Sequence, residues 1–169
     1  VETKGMTLKD ASSLIKGELG SIVSLTVFRP SERKKLTFEL TRANITVKHV
    51  PYWGVDEDGI GYIRITKFSK NTARDFSEAL NDLIDLGLMG LVIDLRSNSG
   101  GLLNNAINIL DKLTDRGVNL LKTRGRIDKS NRNMNSRRVP AFSTEIPIAI
   151  LINRSSASAS EIVAGVLQD

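Results

Sequence analysis

The chain has no cysteine, one histidine, one tryptophan, 4 prolines and only 5% aromatic residues. Without cysteine there is no disulfide, no thiol nucleophile and no thiolate metal site, and the redox compartment stays open. A lone histidine, His49, excludes a multi-histidine metal cluster. It could serve a Ser-His-Asp triad only beside a nucleophile. No apolar run approaches the roughly 20 residues a membrane-spanning helix needs. What is present is ordinary for a globular domain: 169 residues, 40% hydrophobic and 25% charged. Those fractions exclude a disordered tail, a collagen and a coiled coil. Nothing calls for a cofactor or a resident metal.

The formal charge is +5, and it is uneven. Residues 122–138, KTRGRIDKSNRNMNSRR, carry seven basic side chains and one acidic, a net of +6 that leaves −1 for the rest. The basicity is therefore a local property. It reads first as a solvated, mobile loop. It could instead guide acidic groups of a substrate, or meet anionic lipid or nucleic acid. Nucleic acid is disfavoured, because no aromatic residue interleaves the charges and no recognisable module accompanies them.

Periodicity divides the chain into two parts, with the boundary expected near residue 50. Residues 7–16 predict a helix with Thr7 and Asp10 at capping-box spacing. Residues 21–29 and 34–42 alternate apolar and polar side chains around Pro30-Ser31-Glu32-Arg33, which predicts a hairpin. A further strand is expected over 45–50, followed by a turn-rich stretch to 59. From there strands and helices alternate. Strands are expected over 59–65, 89–95, 118–123 and 146–152, and helices over 71–86, 102–114 and 157–168. This order predicts an α/β layer with a mostly parallel sheet. The run MGLVIDL reads as a strand buried on both faces. In such a sheet the active site gathers at the carboxyl ends of the strands. VETKGMTLKD shows no cationic-then-apolar signal pattern, and the sequence stops inside an apolar-periodic helix. Both ends are expected to lie within a longer protein.

Two strand-to-helix junctions carry the chemistry. DLRSNSGGLL (94–103) places paired glycines after a buried strand, where they could make a tight turn or offer N–H groups to an anion. NRSSASASEI (153–162) surrounds serines with small residues at a helix start. Ser158 and Glu161 satisfy a capping box, so one reading makes Ser158 a simple cap. Set side by side, the junctions would instead supply a hydroxyl nucleophile and amide donors for an oxyanion, the parts acyl transfer needs. Asp94 and Arg96 read as loop-orienting groups. Tyr52 and Trp53 read as packing at the domain junction.

The motifs SASASEIVAGVLQD (156–169), DLRSNSGG (94–101) and GYIRITKF (61–68) resemble the carboxyl-terminal processing peptidases, or tail-specific proteases, which are serine peptidases of the Ser-Lys type. LIKGELGSIVSLTVFR (14–29) and KKLTFELTR are similar to the second half of that family's inserted PDZ domain. The resemblance implies a crotonase- and Clp-protease-like layered core over 51–169, preceded by a partial PDZ-like α+β segment over 1–50. It implies Ser158 as nucleophile, with the N–H groups of Gly101 and Ala159 as the oxyanion hole. It implies a general-base lysine beyond Asp169, and hence an inactive isolated chain. It also implies an extracytoplasmic setting and protein or peptide substrates with exposed C-terminal tails. Ser99 stands where the family often has proline, and Arg154-Ser155-Ser156 where it often has a glycine or threonine pair. Two other readings stay open: a non-catalytic crotonase-like module binding a thioester oxygen, and a scaffold whose PDZ-like half recruits partners.

Overall fold

The computed structural model describes residues 2–45 and 47–169. The chain divides into two compact units, Val1–Val47 and Lys48–Asp169.

In the first unit, α1 (Leu8–Ile15) starts at a reciprocal capping box. The Thr7 hydroxyl accepts from the Asp10 N–H at 3.2 Å, and the Asp10 carboxylate accepts from the Thr7 N–H at 3.2 Å. The Thr7 hydroxyl also donates to that carboxylate and holds its pKa below the ordinary value. Strands β1 (Ile22–Arg29) and β2 (Lys34–Thr41) pair antiparallel from Ile22↔Thr41 to Arg29↔Lys34. Arg42 ties the hairpin to the carboxyl end of α1. Its guanidinium donates to the carbonyls of Ile15 (2.7 Å), Leu14 (3.3 Å) and Ile22 (3.3 Å) and to the Ser21 hydroxyl (2.8 Å). The bonds to Leu14 and Ile15 satisfy helix-end carbonyls that no intrahelical donor reaches. None of the described side chains of this unit is fully buried.

The second unit holds the whole core. Its four-stranded sheet runs in the order β3 (Tyr52–Val55), β4 (Ile60–Arg64), β5 (Gly90–Asp94), β8 (Ile148–Leu151). β4, β5 and β8 are parallel, and β3 joins antiparallel at the edge. Helices α2 (Thr72–Asp85), α3 (Leu103–Leu113) and α4 (Ala159–Gln168) follow the parallel strands. Phe76, Leu80 and Leu83 of α2 and Ile109 and Leu110 of α3 share one cluster with Ile63, Leu91 and Ile93 of the sheet. At the start of α2, Thr72 ties the helix to the preceding turn, its hydroxyl accepting from the Ser69 N–H at 2.8 Å and donating to the Lys67 carbonyl. The buried Asn105 of α3 accepts from the Ala73 N–H at 3.1 Å, so α2 and α3 are joined by a polar bond as well as apolar packing.

Four expectations need correction. No strand forms over the described residues of 45–50, and Thr46 lies outside them. His49 sits in a bend; its carbonyl accepts from the Thr66 N–H at 2.8 Å. Tyr52–Val55, read as turn, is the edge strand β3. The sheet is not buried equally on both faces. Leu91 and Ile93 are sealed, while Val92, beside Tyr62 on the other face, is half-buried. Finally, β6 (Asn119–Thr123) does not join the parallel sheet. It pairs with β7 (Arg132–Asn135) in a separate antiparallel hairpin, so the basic stretch contains an ordered element rather than a loose loop. A strand of sequence RNMN gives no apolar alternation to read.

Candidate active site

β5 and β8 run side by side with Asp94 opposite Leu151, so both junctions leave the sheet at the same end. The glycine pair and the serine loop then meet. A Cβ placed on Gly100 would lie 2.7 Å from the Ala157 carbonyl, 2.8 Å from the Ser158 Cβ and 3.0 Å from the Ala159 nitrogen. Only a residue without a side chain lets the two backbones approach so closely, and Gly100 also has φ +95°.

Ser158 occupies the turn from loop into α4 with φ 56° and ψ −116°. Left-handed backbone is strained for a serine, and such strain persists only where the surroundings enforce it. Its backbone N–H donates to the Glu161 carboxylate at 2.6 Å. The Ser158 side chain in turn faces the Glu161 N–H, completing a capping box. The serines around it differ. Ser156 Oγ donates to the Leu95 carbonyl at 2.8 Å, and the buried Ser160 Oγ donates to the Asn98 carbonyl at 2.8 Å. Ser158 thus presents an exposed hydroxyl that donates to no acceptor among the described residues, between two hydroxyls that each donate to a loop carbonyl.

The amides nearby sort the same way. The Gly100 N–H donates to Asn98 Oδ1 at 2.8 Å. Phe68 pairs across Gly101: its N–H donates to the Gly100 carbonyl at 3.0 Å and its carbonyl accepts from the Leu102 N–H at 2.7 Å. In a parallel bridge the residue between those two groups turns its own N–H the other way. Among the described residues neither the Gly101 N–H nor the Ala159 N–H has an acceptor. Ala159 opens α4, so its amide belongs to the positive end of the helix.

Asn98, which sequence reasoning left without a role, holds the arrangement together. It is fully buried. Its Nδ2 donates to the Ile65 carbonyl beyond β4 at 3.0 Å, and its Oδ1 takes the Gly100 N–H. Its carbonyl accepts both the Ala157 N–H at 3.1 Å and the Ser160 hydroxyl. One residue therefore ties three strand ends together. The signal available in sequence was an asparagine two residues before a glycine, the spacing of an Asx turn. Asn153 plays a parallel part, accepting from the Ser97 N–H at 2.9 Å and the Ser155 N–H at 3.1 Å.

Asp94 and Arg96 do orient the loop. The Asp94 side chain is fully buried and takes two bonds from the Arg96 guanidinium (3.0 and 2.8 Å) and one from the Tyr62 hydroxyl (2.6 Å). The Arg96 bonds dominate and hold the carboxyl well below the usual carboxylate range, against the burial that would raise it. The same bonds push the Arg96 guanidinium up, while burial first and then Asp94 raise the Tyr62 phenol. Trp53, read as packing at the domain junction, instead meets α2 within the second unit, its Nε1 donating to Asp82 Oδ2 at 3.0 Å. Tyr52 stacks obliquely on Tyr62 with ring centres 5.8 Å apart. His49 has Thr66 Oγ1 3.4 Å from its Nδ1, within the stretch that precedes the sheet. Among the described residues no group of three or more acidic or histidine side chains could hold a metal, and no helix is long and apolar enough to cross a membrane.

Residues 59–169 match the model of Peptidase family S41. The carboxy-terminal-processing protease of Bartonella bacilliformis is 40% identical over 99% of this chain and 39% of its own length. The chloroplastic C-terminal processing peptidase of Tetradesmus obliquus is 33% identical over 98% of this chain and 38% of its own length. Among solved structures, a photosystem II D1 C-terminal processing protease superimposes with a TM-score of 0.62 at 32% identity, covering 98% of this chain and 46% of that one. The chain thus spans about two-fifths of the length of these curated relatives. With the sheet order, the two facing junctions and these likenesses together, the chain belongs to peptidase family S41.

Proposed function

We propose that this chain carries the nucleophile half of a serine endopeptidase site that acts on protein or peptide substrates near their C-terminal tails. The observation that carries the reading is the strained, exposed Ser158, whose hydroxyl, unlike those of Ser156 and Ser160, donates to no acceptor among the described residues. Ser158 Oγ would attack the scissile carbonyl carbon as a base takes its proton. The carbonyl oxygen, now an oxyanion, would be met by the Gly101 and Ala159 amides. The C–N bond then breaks, the amine leaves with a proton, and water hydrolyses the Ser158 ester. One well-placed amide donor contributes about 3 kcal/mol to such a transition state.

The base would be a neutral lysine, as the family resemblance implies, from sequence beyond Asp169. Burial lowers a lysine pKa by up to about 3–5 units, which makes that role workable near neutral pH. Residues 1–50 would act as part of a PDZ-like segment that takes a substrate tail by adding it to a sheet edge. The setting would be extracytoplasmic. The 169-residue chain alone is expected to show no turnover, since among the described residues no lysine side chain bonds to the Ser158 hydroxyl.

The test is labelling of a full-length protein carrying this segment with a fluorophosphonate probe, followed by peptide mapping. A single modified residue at Ser158, lost in Ser158→Ala together with peptidase activity, supports the reading. Labelling elsewhere, or activity that survives Ser158→Ala, ends it. A non-catalytic thioester-binding module would instead bind coenzyme A without reacting with the probe.

A further inference from the structure

The cations of 122–138 are held in a defined hairpin, and nearly all of them lack an acidic partner. Arg138 Nε lies 3.4 Å from Asp111 Oδ2. Among the described residues Lys122, Arg124, Arg126, Lys129, Arg132 and Arg137 form no ion pair. The tip is built rather than slack. Thr123 Oγ1 donates to the Ser130 carbonyl at 2.8 Å and accepts from the Arg132 N–H at 3.1 Å, and Asn131 Oδ1 accepts from the Gly125 N–H at 2.9 Å. A short 3-10 turn, Asp128–Ser130, closes it. Lys122, Arg124 and Arg132 line one shallow groove of about 360 Å³ beside this frame. At the apex, between Arg126 and Asp128, the side chain of Ile127 is 67% exposed.

We propose that this hairpin docks on the surface of an anionic phospholipid bilayer, with headgroup phosphates against the groove cations and Ile127 entering the interface. Three observations favour lipid over other polyanions. Fixed, unpaired cations match a sheet of negative charge, and each Lys or Arg brought to such a surface raises affinity about fivefold. An exposed isoleucine at the apex gains nothing from a soluble polyanion but gains about tenfold by leaving water for the acyl boundary. No aromatic side chain lies in 118–138 to stack on a base. An acidic peptide would use the same charges but would leave Ile127 in water.

The test is sedimentation of the 169-residue chain with vesicles of phosphatidylcholine alone and of an equimolar mixture with phosphatidylglycerol. Binding is expected only to the mixture, and is expected to vanish in about 1 M salt, where the Debye length is about 3 Å. The combined change of Arg124→Gln, Arg126→Gln and Lys129→Gln is expected to weaken vesicle binding about a hundredfold. These side chains are exposed, so unchanged circular dichroism verifies the fold. Ile127→Ser separates lipid from other polyanions: vesicle affinity should fall several-fold, while any binding to an oligonucleotide or to polyglutamate stays as it was. Equal binding to both vesicle types overturns the proposal. So does an unaffected triple variant, an Ile127→Ser variant that binds vesicles like the parent, or tight oligonucleotide or polyglutamate binding with vesicles ignored.

Discussion

The two units obey the same alternation rules and reach different results. In Val1–Val47 the β1–β2 hairpin keeps a full eight-pair register, yet Phe28 and Phe38 remain 60% and 42% exposed. In Lys48–Asp169 strands of only 4 or 5 residues carry side chains such as Ile63 and Ile93 that are wholly sealed. Pairing strands satisfies backbone groups in both, but stability comes mainly from apolar surface taken out of water, and that needs a second layer. α2, α3 and α4 provide the layer in the larger unit. In the smaller one, α1 has no buried residue.

The sharpest way to break this contrast is to truncate one phenylalanine in each unit. Phe76→Ala in α2 should cost about 3–5 kcal/mol, because a sealed ring leaves a cavity that neighbours cannot fill. Phe38→Ala in β2 should cost under about 1 kcal/mol, as for most exposed positions. Urea unfolding of both variants decides it. Comparable losses would mean that the hairpin is buried in a way its present exposure does not reveal.

Next in size is Asn98→Ala. It would strand the Ile65 carbonyl and the Gly100 N–H in a buried place, a cost of about 2–3 kcal/mol. Because the Asn98 carbonyl also orients Ala157 and Ser160, the serine loop should loosen, and probe labelling at Ser158 should fall well beyond the loss of folded protein. Labelling that simply tracks the folded fraction would reduce Asn98 to a packing residue.

These two residues mark where the sequence is readable and where it stops being so. Phe76 lies on a face repeating at helical spacing, and the helices and parallel strands of the larger unit follow from that kind of local pattern. Ser158 and the glycine pair are legible because small residues at a strand-to-helix junction already imply close backbone approach. Asn98 is not legible in the same way. Its partners lie 33 positions earlier at Ile65 and 62 positions later at Ser160, and only the completed sheet brings them together. β3 and β7 escape notice for another reason. Four-residue strands containing glycine, or only polar residues and one methionine, have no period to display.

Asp94→Asn tests whether the larger unit also depends on charge. The loss should be about 2 kcal/mol at neutral pH, discounted because Arg96 and Arg64 are half open to water and recover solvation. The pH dependence follows from the depressed carboxyl. Its stabilisation is complete above the ordinary carboxylate pKa of about 3.9 and is withdrawn as pH falls from there toward the lower folded value. Wild-type stability should therefore drop on acidification below about pH 4 more steeply than that of Asp94→Asn. Parallel acid limbs in the two proteins would place the sensitivity in other carboxylates.

The smallest change asks whether the units are separate at all. Arg42→Ala removes four hydrogen bonds, two of them fastening α1 to the hairpin and two within the start of the hairpin, all on or near the surface, so the cost should be about 1 kcal/mol and local. Native-state hydrogen exchange reads it directly. Amides of α1 and of the start of β1 should exchange faster, while those of β4, β5 and α2 keep their protection, because local opening need not pass through the global transition. If protection in β5 falls by the same factor, the two units unfold as one. The contrast between an open hairpin and a sealed layer would then describe where side chains lie without describing how the chain comes apart.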